Sequence, residues 1–250
     1  QAGVPTVPPL TRADGARLSE FQGKPVAVFP WIQGEMFCQA RVTPEASEKV
    51  GAALAEVHLA TEALTRLPPG RFRVEDLYQR LDRIEQGAPT EYGDAARRVR
   101  SEIQRCVSER DPVLPQGVIH GDLFRDNVLW EKGEIRALID FESASHGAFL
   151  YDLMVTLLAW CFSDRFDADL VDAMLRGYSE RRKLTLRELD AAVTECKLGC
   201  LRFATTRITD FAMRAPPGAA PARDYRRMLS RLEALESGAL SPALARLRGR

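Results

Sequence analysis

The segment Ile119-His120-Gly121-Asp122-Leu123-Phe124-Arg125-Asp126-Asn127-Val128-Leu129 is followed, thirteen residues after Asn127, by Ile139-Asp140-Phe141-Glu142. Gly117 to His120 reads as a brief apolar strand that runs into a polar loop. Val128–Trp130 and Ile135–Asp140 read as two short strands around Glu131-Lys132-Gly133-Glu134, a hairpin turn. This reading has a loop exposing Asp122, Asn127 standing just before a strand, and a hairpin bringing Asp140 back to the same place. Either an Asp or an Asn near a strand end, taken alone, is an ordinary turn residue. The combination of a His-Gly-Asp loop, Asn at +5, a hairpin and then apolar-Asp-Phe points instead to chemistry.

Phosphoryl transfer fits that arrangement. It needs an in-line nucleophile, a group that accepts the nucleophile's proton, and oxygen ligands for Mg²⁺. Asp122 can accept the proton. Asn127 offers a neutral oxygen and Asp140 an anionic one, with water and phosphate completing the coordination.

Working outward, residues 1–12 are Pro-rich and extended. Ala16–Phe21 and Pro25–Trp31, joined by Gln22-Gly23-Lys24, look like a first hairpin. Thr43 is a good N-cap with Pro44 at the first helical position, and Ala46–Leu64 carries apolar residues at helical spacing, ending at Pro68-Pro69-Gly70. Arg73–Ile84 and Tyr92–Val107 continue the helical pattern. After the hairpin, Leu153–Phe162 reads as buried all round, Phe166–Arg181 as amphipathic, and Thr185–Thr206 as containing a long helix. Ala215-Pro216-Pro217-Gly218 is a loop, and a last helix spans about Asp224–Ser237. The fold class is α+β.

The 250 residues are 45% hydrophobic and 28% charged, with 35 cations balancing 35 anions. Zero net charge gives no basic field for nucleic acid, and the longest apolar run is too short to span a bilayer. The five cysteines (Cys38, Cys106, Cys161, Cys196, Cys200) are scattered and read as reduced thiols in a cytoplasmic protein. Cys196 and Cys200, four apart on a helix, lack the further ligands that a metal site needs.

The quoted motif resembles the catalytic and metal-binding core of the aminoglycoside phosphotransferase/choline kinase superfamily, small-molecule relatives of protein kinases. The Phe124-Arg125-Asp126-Asn127 loop ending and the later Leu201-Arg202-Phe203 and Arg207 stretch are most similar to its bacterial homoserine kinase branch. The resemblance implies a protein-kinase-like fold: a truncated N-terminal lobe and hinge over residues 1–33, and a mostly helical catalytic lobe with a β-hairpin over 34–250. It implies Asp122 as catalytic base, Asn127 and Asp140 as Mg²⁺ ligands bridging the ATP phosphates, and Phe29–Gln33, with Phe29, Pro30 and Trp31 foremost, as the hinge that binds adenine. His120 would brace the loop, and Asp152 would tie it from a buried helix start. Arg125 would either touch a phosphate or pair with Asp126 or Glu142. His58, on an apolar helix face, reads as a packing histidine.

A kinase of this kind also needs a phosphate-covering loop and a Lys on the α/β-phosphates, held by a helix Glu. The only Lys before the hinge is Lys24, in the first hairpin turn. With Gln1 in place of Met, the expectation is that an N-terminal part is missing and that these 250 residues alone are weakly active or inactive.

The acceptor is a small-molecule hydroxyl. L-homoserine, giving O-phospho-L-homoserine on the route to threonine, would need a planar cation for its carboxylate. Arg202, Arg207 and Asp210 are the candidate substrate residues, with Arg207 and Asp210 either recognising a zwitterion or forming an i,i+3 surface pair. Residues 202–250 hold ten Arg, Arg250 included, against four acids, which disfavours a polycationic acceptor. Choline, ethanolamine, a thio-sugar or an aminoglycoside stay open as acceptors, as does a non-catalytic kinase-like domain. The pattern leaves oligomeric state open.

Overall fold

The computed structural model describes residues 3–62, 64, 70–87, 89–216, 219 and 221–249. Pro68, Pro69, Pro217, Gly218 and Arg250, named above, lie outside the described residues. Near the N-terminus, Gln22 and Gly23 at φ 50° and 72° turn the chain between β1 (Ser19–Phe21) and β2 (Lys24–Val26). The expected hairpin exists, but its strands are three residues each, and Lys24 opens β2 opposite Phe21 instead of closing the turn. Both strands are mostly exposed, so no buried face extends the ladder to Ala16 or Trp31.

Thr43 caps α1 (Pro44–Thr61), its hydroxyl accepting from the Ala46 N–H at 3.2 Å. α2 (Val74–Gly87) and α3 (Thr90–Glu109) follow. Then come β3 (Gln116–Ile119), β4 (Val128–Glu131), β5 (Glu134–Leu138) and β6 (Ser145–Ala148). β4 and β5 form the expected hairpin. β6 pairs antiparallel with β3, Ile119 opposite Ser145. Its sequence, Ser-His-Gly-Ala, has no β-branched or aromatic residue and gives no strand signal. The hairpin is flanked on both edges: the Leu138 N–H donates to the Pro5 carbonyl at 2.6 Å, and Glu35 and Trp130 exchange two backbone bonds of 2.9 Å.

α4 (Phe149–Trp160) is buried at every residue except Tyr151, which matches the all-round apolar pattern. α5 (Ala168–Arg181) packs lengthwise on α1, and two glycines allow the approach. A Cβ on Gly51 would stand 2.3 Å from the Met174 carbonyl oxygen, and one on Gly177 would stand 2.1 Å from that of Glu48. α6 (Leu186–Arg207) opens on a Thr185/Glu188 capping box. It crosses α4 and runs into a π-helical turn at Ile208–Ala212. α7 (Arg226–Glu236) packs on α6, and α8 (Ser241–Arg248), which the sequence reading did not anticipate, follows with Pro242 in its first turn. No disulfide joins the cysteines, and four of the five are buried. Burial pushes the Cys161 and Cys200 thiols up to about 12.

Candidate active site

The loop between β3 and β4 is held by one buried carboxylate. Asp152, in the first turn of α4 and fully buried, accepts the His120 N–H at 2.6 Å and the Gly121 N–H at 2.7 Å. Gly121 turns at φ 74°, which favours glycine, and a Cβ there would crowd the Ser143 carbonyl oxygen at 3.1 Å. Asp152 also meets Nε2 of His58 at 3.0 Å, and Nδ1 of His58 meets the Tyr178 hydroxyl at 2.8 Å. An ionised Asp152 fixes the His58 proton on Nε2, so Tyr178 donates to Nδ1. Burial pushes the His58 pKa down despite Asp152, and the imidazole stays neutral. Farther out, Arg182 reaches the Tyr178 oxygen at 3.4 Å and the buried Glu188 at 2.8 Å. The sequence marked His58 only as a packing residue. Its apolar face gave no sign that Tyr178, 120 positions away, completes a relay to the loop.

His120 is buried and braces the loop. Its Nε2 donates to the Ile139 carbonyl at 3.0 Å, and its Nδ1 accepts from the Asp122 N–H at 3.3 Å. The Asn127 carbonyl accepts the Ile139 N–H at 3.0 Å. Both backbone groups of Ile139 are therefore tied to the loop, which seats Asp140 beside it. Asp140 itself is left-handed (φ 63°, ψ 57°), a conformation that Asp tolerates better than most side chains and that collects at functional sites. Asn127 is buried and donates from Nδ2 to the Asp122 carbonyl at 2.7 Å. That bond commits the amide nitrogen and leaves Oδ1 as the atom available to a cation. An amide oxygen and a carboxylate on neighbouring backbone form a hard donor set suited to Mg²⁺.

The Asp122 side chain is three-quarters buried, with Oδ1 3.5 Å from Nη1 of Arg202. Burial raises its pKa, and the Arg202 charge opposes that rise. Arg202 is buried, stacked at 4.1 Å on the Phe72 ring and 3.8 Å on that of Phe203, and donates to the Gly121 carbonyl at 3.0 Å. It therefore touches the candidate base itself.

The other candidates separate. Arg125 pairs with neither Asp126 nor Glu142: its Nη1 donates to the Ala159 carbonyl at the end of α4, while Asp126 takes Arg223 at 3.1 Å and Glu142 takes Arg71 at 3.3 Å. The Arg207–Asp210 pair does not form. Arg207 donates to the Asp224 carbonyl at 2.9 Å, whereas Asp210 binds Arg80 at 2.7 Å. The π-helical turn after Arg207 changes the angular step, so i,i+3 spacing no longer puts the two on one face. Phe29, Pro30 and Trp31 lie in an irregular stretch after β2, with Trp31 90% exposed.

Two cavities adjoin the loop. One, about 540 Å³, is lined by Gly121, Tyr151, Arg202 and the Phe72 segment. Its other arginines are neutralised: Arg71 by Glu142, Arg73 by Asp76 and Arg110 by Glu195. The second, about 610 Å³, opens between Phe124–Asp126, the end of α4 and the chain before α7, and it holds Arg207.

A model of the phosphotransferase enzyme family matches residues 1–188. The chain is 32% identical to the homoserine kinase of Bartonella tribocorum over 222 residues, 87% of this chain and 68% of that protein. It is 34% identical to the homoserine kinase of Agrobacterium fabrum over 215 residues, 84% of this chain and 65% of that one. The chain thus spans about two thirds of the length of these relatives. Among solved structures, an amicoumacin kinase in complex with AMP-PNP and Ca²⁺ superposes with a TM-score of 0.70 at 17% identity, over 94% of this chain and 73% of that one. A microcompartment-associated aminopropanol kinase gives 0.66 at 18%, over 98% and 78%. These two share the fold: a protein-kinase-like arrangement with a mostly helical lobe. Among the described residues no helix is long and apolar enough to cross a membrane.

Proposed function

We propose that this chain, which belongs to the phosphotransferase enzyme family, carries the acceptor-activating and metal-binding residues of an ATP-dependent kinase acting on a small-molecule hydroxyl, with L-homoserine as acceptor and the cytoplasm as its place of work. The observation that carries the reading is the tying of Asp122, Asn127 and Asp140 to one another through His120 and Ile139. The names of the relatives support homoserine over choline or an aminoglycoside.

Asp122 orients the acceptor hydroxyl and takes its proton as the oxygen attacks the γ-phosphorus of ATP, whose bond to the β,γ-bridging oxygen breaks to release ADP. The Arg202 charge opposes the rise in the Asp122 pKa that burial causes. Asn127 Oδ1 and the Asp140 carboxylate would hold Mg²⁺, which when bound neutralises charge on the phosphates. His120, Asp152, His58 and Tyr178 hold the loop in place without touching substrate. Phe29–Trp31 would lie against adenine.

The test is an acceptor panel on the protein expressed from its complete gene. ATP consumption should be stimulated by L-homoserine well above choline, ethanolamine and kanamycin. Stimulation by one of those three, with none by homoserine, would reject the acceptor. No phosphorylation of any hydroxyl would favour the second reading, a nucleotide-binding domain without turnover.

A further inference from the structure

The 610 Å³ cavity beside Phe124–Asp126 carries a charge imbalance that its own groups do not resolve. Five guanidinium groups line it. Arg231 is spent on the Leu158, Arg227 and Phe162 carbonyls, and Arg125 on that of Ala159. Arg223 is spent on Asp126. That leaves two. Arg207 is 9% exposed, and its buried Nε has no hydrogen-bond partner among the described residues. Arg227 is exposed and has no carboxylate partner among them. A buried guanidinium N–H without an acceptor costs free energy that an incoming anion returns. Burial and the neighbouring Arg231, Arg223 and Arg227 charges push the Arg207 pKa down to about 10 against the weaker pull of Asp224, so the group remains a cation at neutral pH with no carboxylate in ion-pair contact among the described residues.

The opposite charge is also on offer. Asp224 is engaged by Arg226 and Asp126 by Arg223, whereas Asp164, on the same cavity, has no cation partner among the described residues. An unpaired fork of cations and a free carboxylate in one cleft match a zwitterion.

We propose that this cavity is the acceptor pocket and that it selects an α-amino acid bearing a hydroxyl: Arg207, with Arg227, binds the acceptor's carboxylate, and Asp164 takes its ammonium. The proposal rests on the kinase reading above and adds the residues that set its specificity. Phe124–Asp126, which follow Asp122 in the loop, form one wall. In the 540 Å³ cavity Arg202 also has a buried Nε without a partner among the described residues, but all four of its arginines face carboxylates, Arg202 that of Asp122.

The experiment compares L-homoserine with 3-amino-1-propanol, which has the same hydroxyl and ammonium but no carboxylate, using the protein from its complete gene. Wild type should prefer homoserine strongly. Arg207→Met should raise the KM for homoserine by about 30-fold or more, leave the KM for ATP within about twofold, and lower kcat/KM for 3-amino-1-propanol far less than that for homoserine. Arg227→Met alters an exposed side chain and keeps the test open should Arg207→Met fail to fold. It should raise the homoserine KM several-fold and spare the amino alcohol. Equal losses on both acceptors, or no loss on homoserine in either variant, would overturn the pocket assignment. A wild-type protein that phosphorylates neither acceptor would instead overturn the functional reading, and the pocket with it.

Discussion

Nη1 of Arg202 stands 3.5 Å from Oδ1 of Asp122 while donating to the Gly121 carbonyl at 3.0 Å. One cation thus holds the backbone of the loop and stands beside its candidate base. Two aromatic rings hold the guanidinium from either side, so the contact does not depend on a solvated side chain finding its partner.

Replacing Arg202 with Met should shift the acid limb of kcat/KM. Asp122 must be ionised to accept a proton, and burial already raises its pKa. Removing the opposing charge raises it further, so more of the enzyme is protonated at a given acidic pH. The limb should move to higher pH, with the largest loss of activity on the acid side. A pH–rate profile with an unmoved acid limb would show that Arg202 does not govern the ionisation.

The relay behind the loop predicts a pH-dependent stability. His58 is neutral in the fold because burial depresses its pKa below the ordinary 6.5. The unfolded chain then binds a proton that the folded chain refuses, and stability falls as pH drops below about 6.5. Urea titrations at pH 7.5 and 5.5 should show this loss in wild type and a smaller one in His58→Gln. Tyr178→Phe, which leaves Nδ1 of His58 without its donor, should cost about 1–3 kcal/mol at either pH. Equal pH slopes in wild type and His58→Gln would contradict the neutral assignment.

Gly177→Ala tests the α1–α5 contact. The new methyl would sit 2.1 Å from the Glu48 carbonyl oxygen, a backbone atom that cannot swing aside. The helices must part, at a cost of about 1–3 kcal/mol, and the His58–Tyr178 contact that spans them is disturbed with them. A denaturation midpoint equal to that of wild type would refute the tight packing.

Asp140→Asn should separate metal binding from folding. Asn accepts the left-handed backbone at φ 63° as well as Asp does, so thermal stability should hold. The Mg²⁺ concentration for half-maximal activity should rise by about tenfold or more, as an anionic ligand becomes neutral. An unchanged Mg²⁺ requirement would remove Asp140 from the metal site.

Much of this was legible in the residues. The Asp122–Asn127–Asp140 spacing could be read because a hairpin of fixed length connects them, and local turn chemistry sets its register. The cap at Thr43 and the buried α4 followed from short-range pattern for the same reason. What the pattern missed was long-range or conformationally irregular. β6 exists because β3 lies beside it, since its own residues carry no strand preference. The Arg207–Asp210 pairing assumed α-helical spacing and failed where the helix widens to π geometry at Ile208–Ala212. Nothing along the chain shows that Arg202 reaches Asp122, 80 positions earlier.

The central claim is that Asp122 accepts the acceptor's proton in a loop held by groups that do not themselves react. Phosphate transfer from radiolabelled ATP to L-homoserine, measured beside Mg·ATP affinity for wild type and Asp122→Asn, tests it most directly. The account predicts that Asp122→Asn loses about 10²–10⁴-fold in turnover with nucleotide affinity and thermal midpoint nearly unchanged. Turnover within a few-fold of wild type would contradict it.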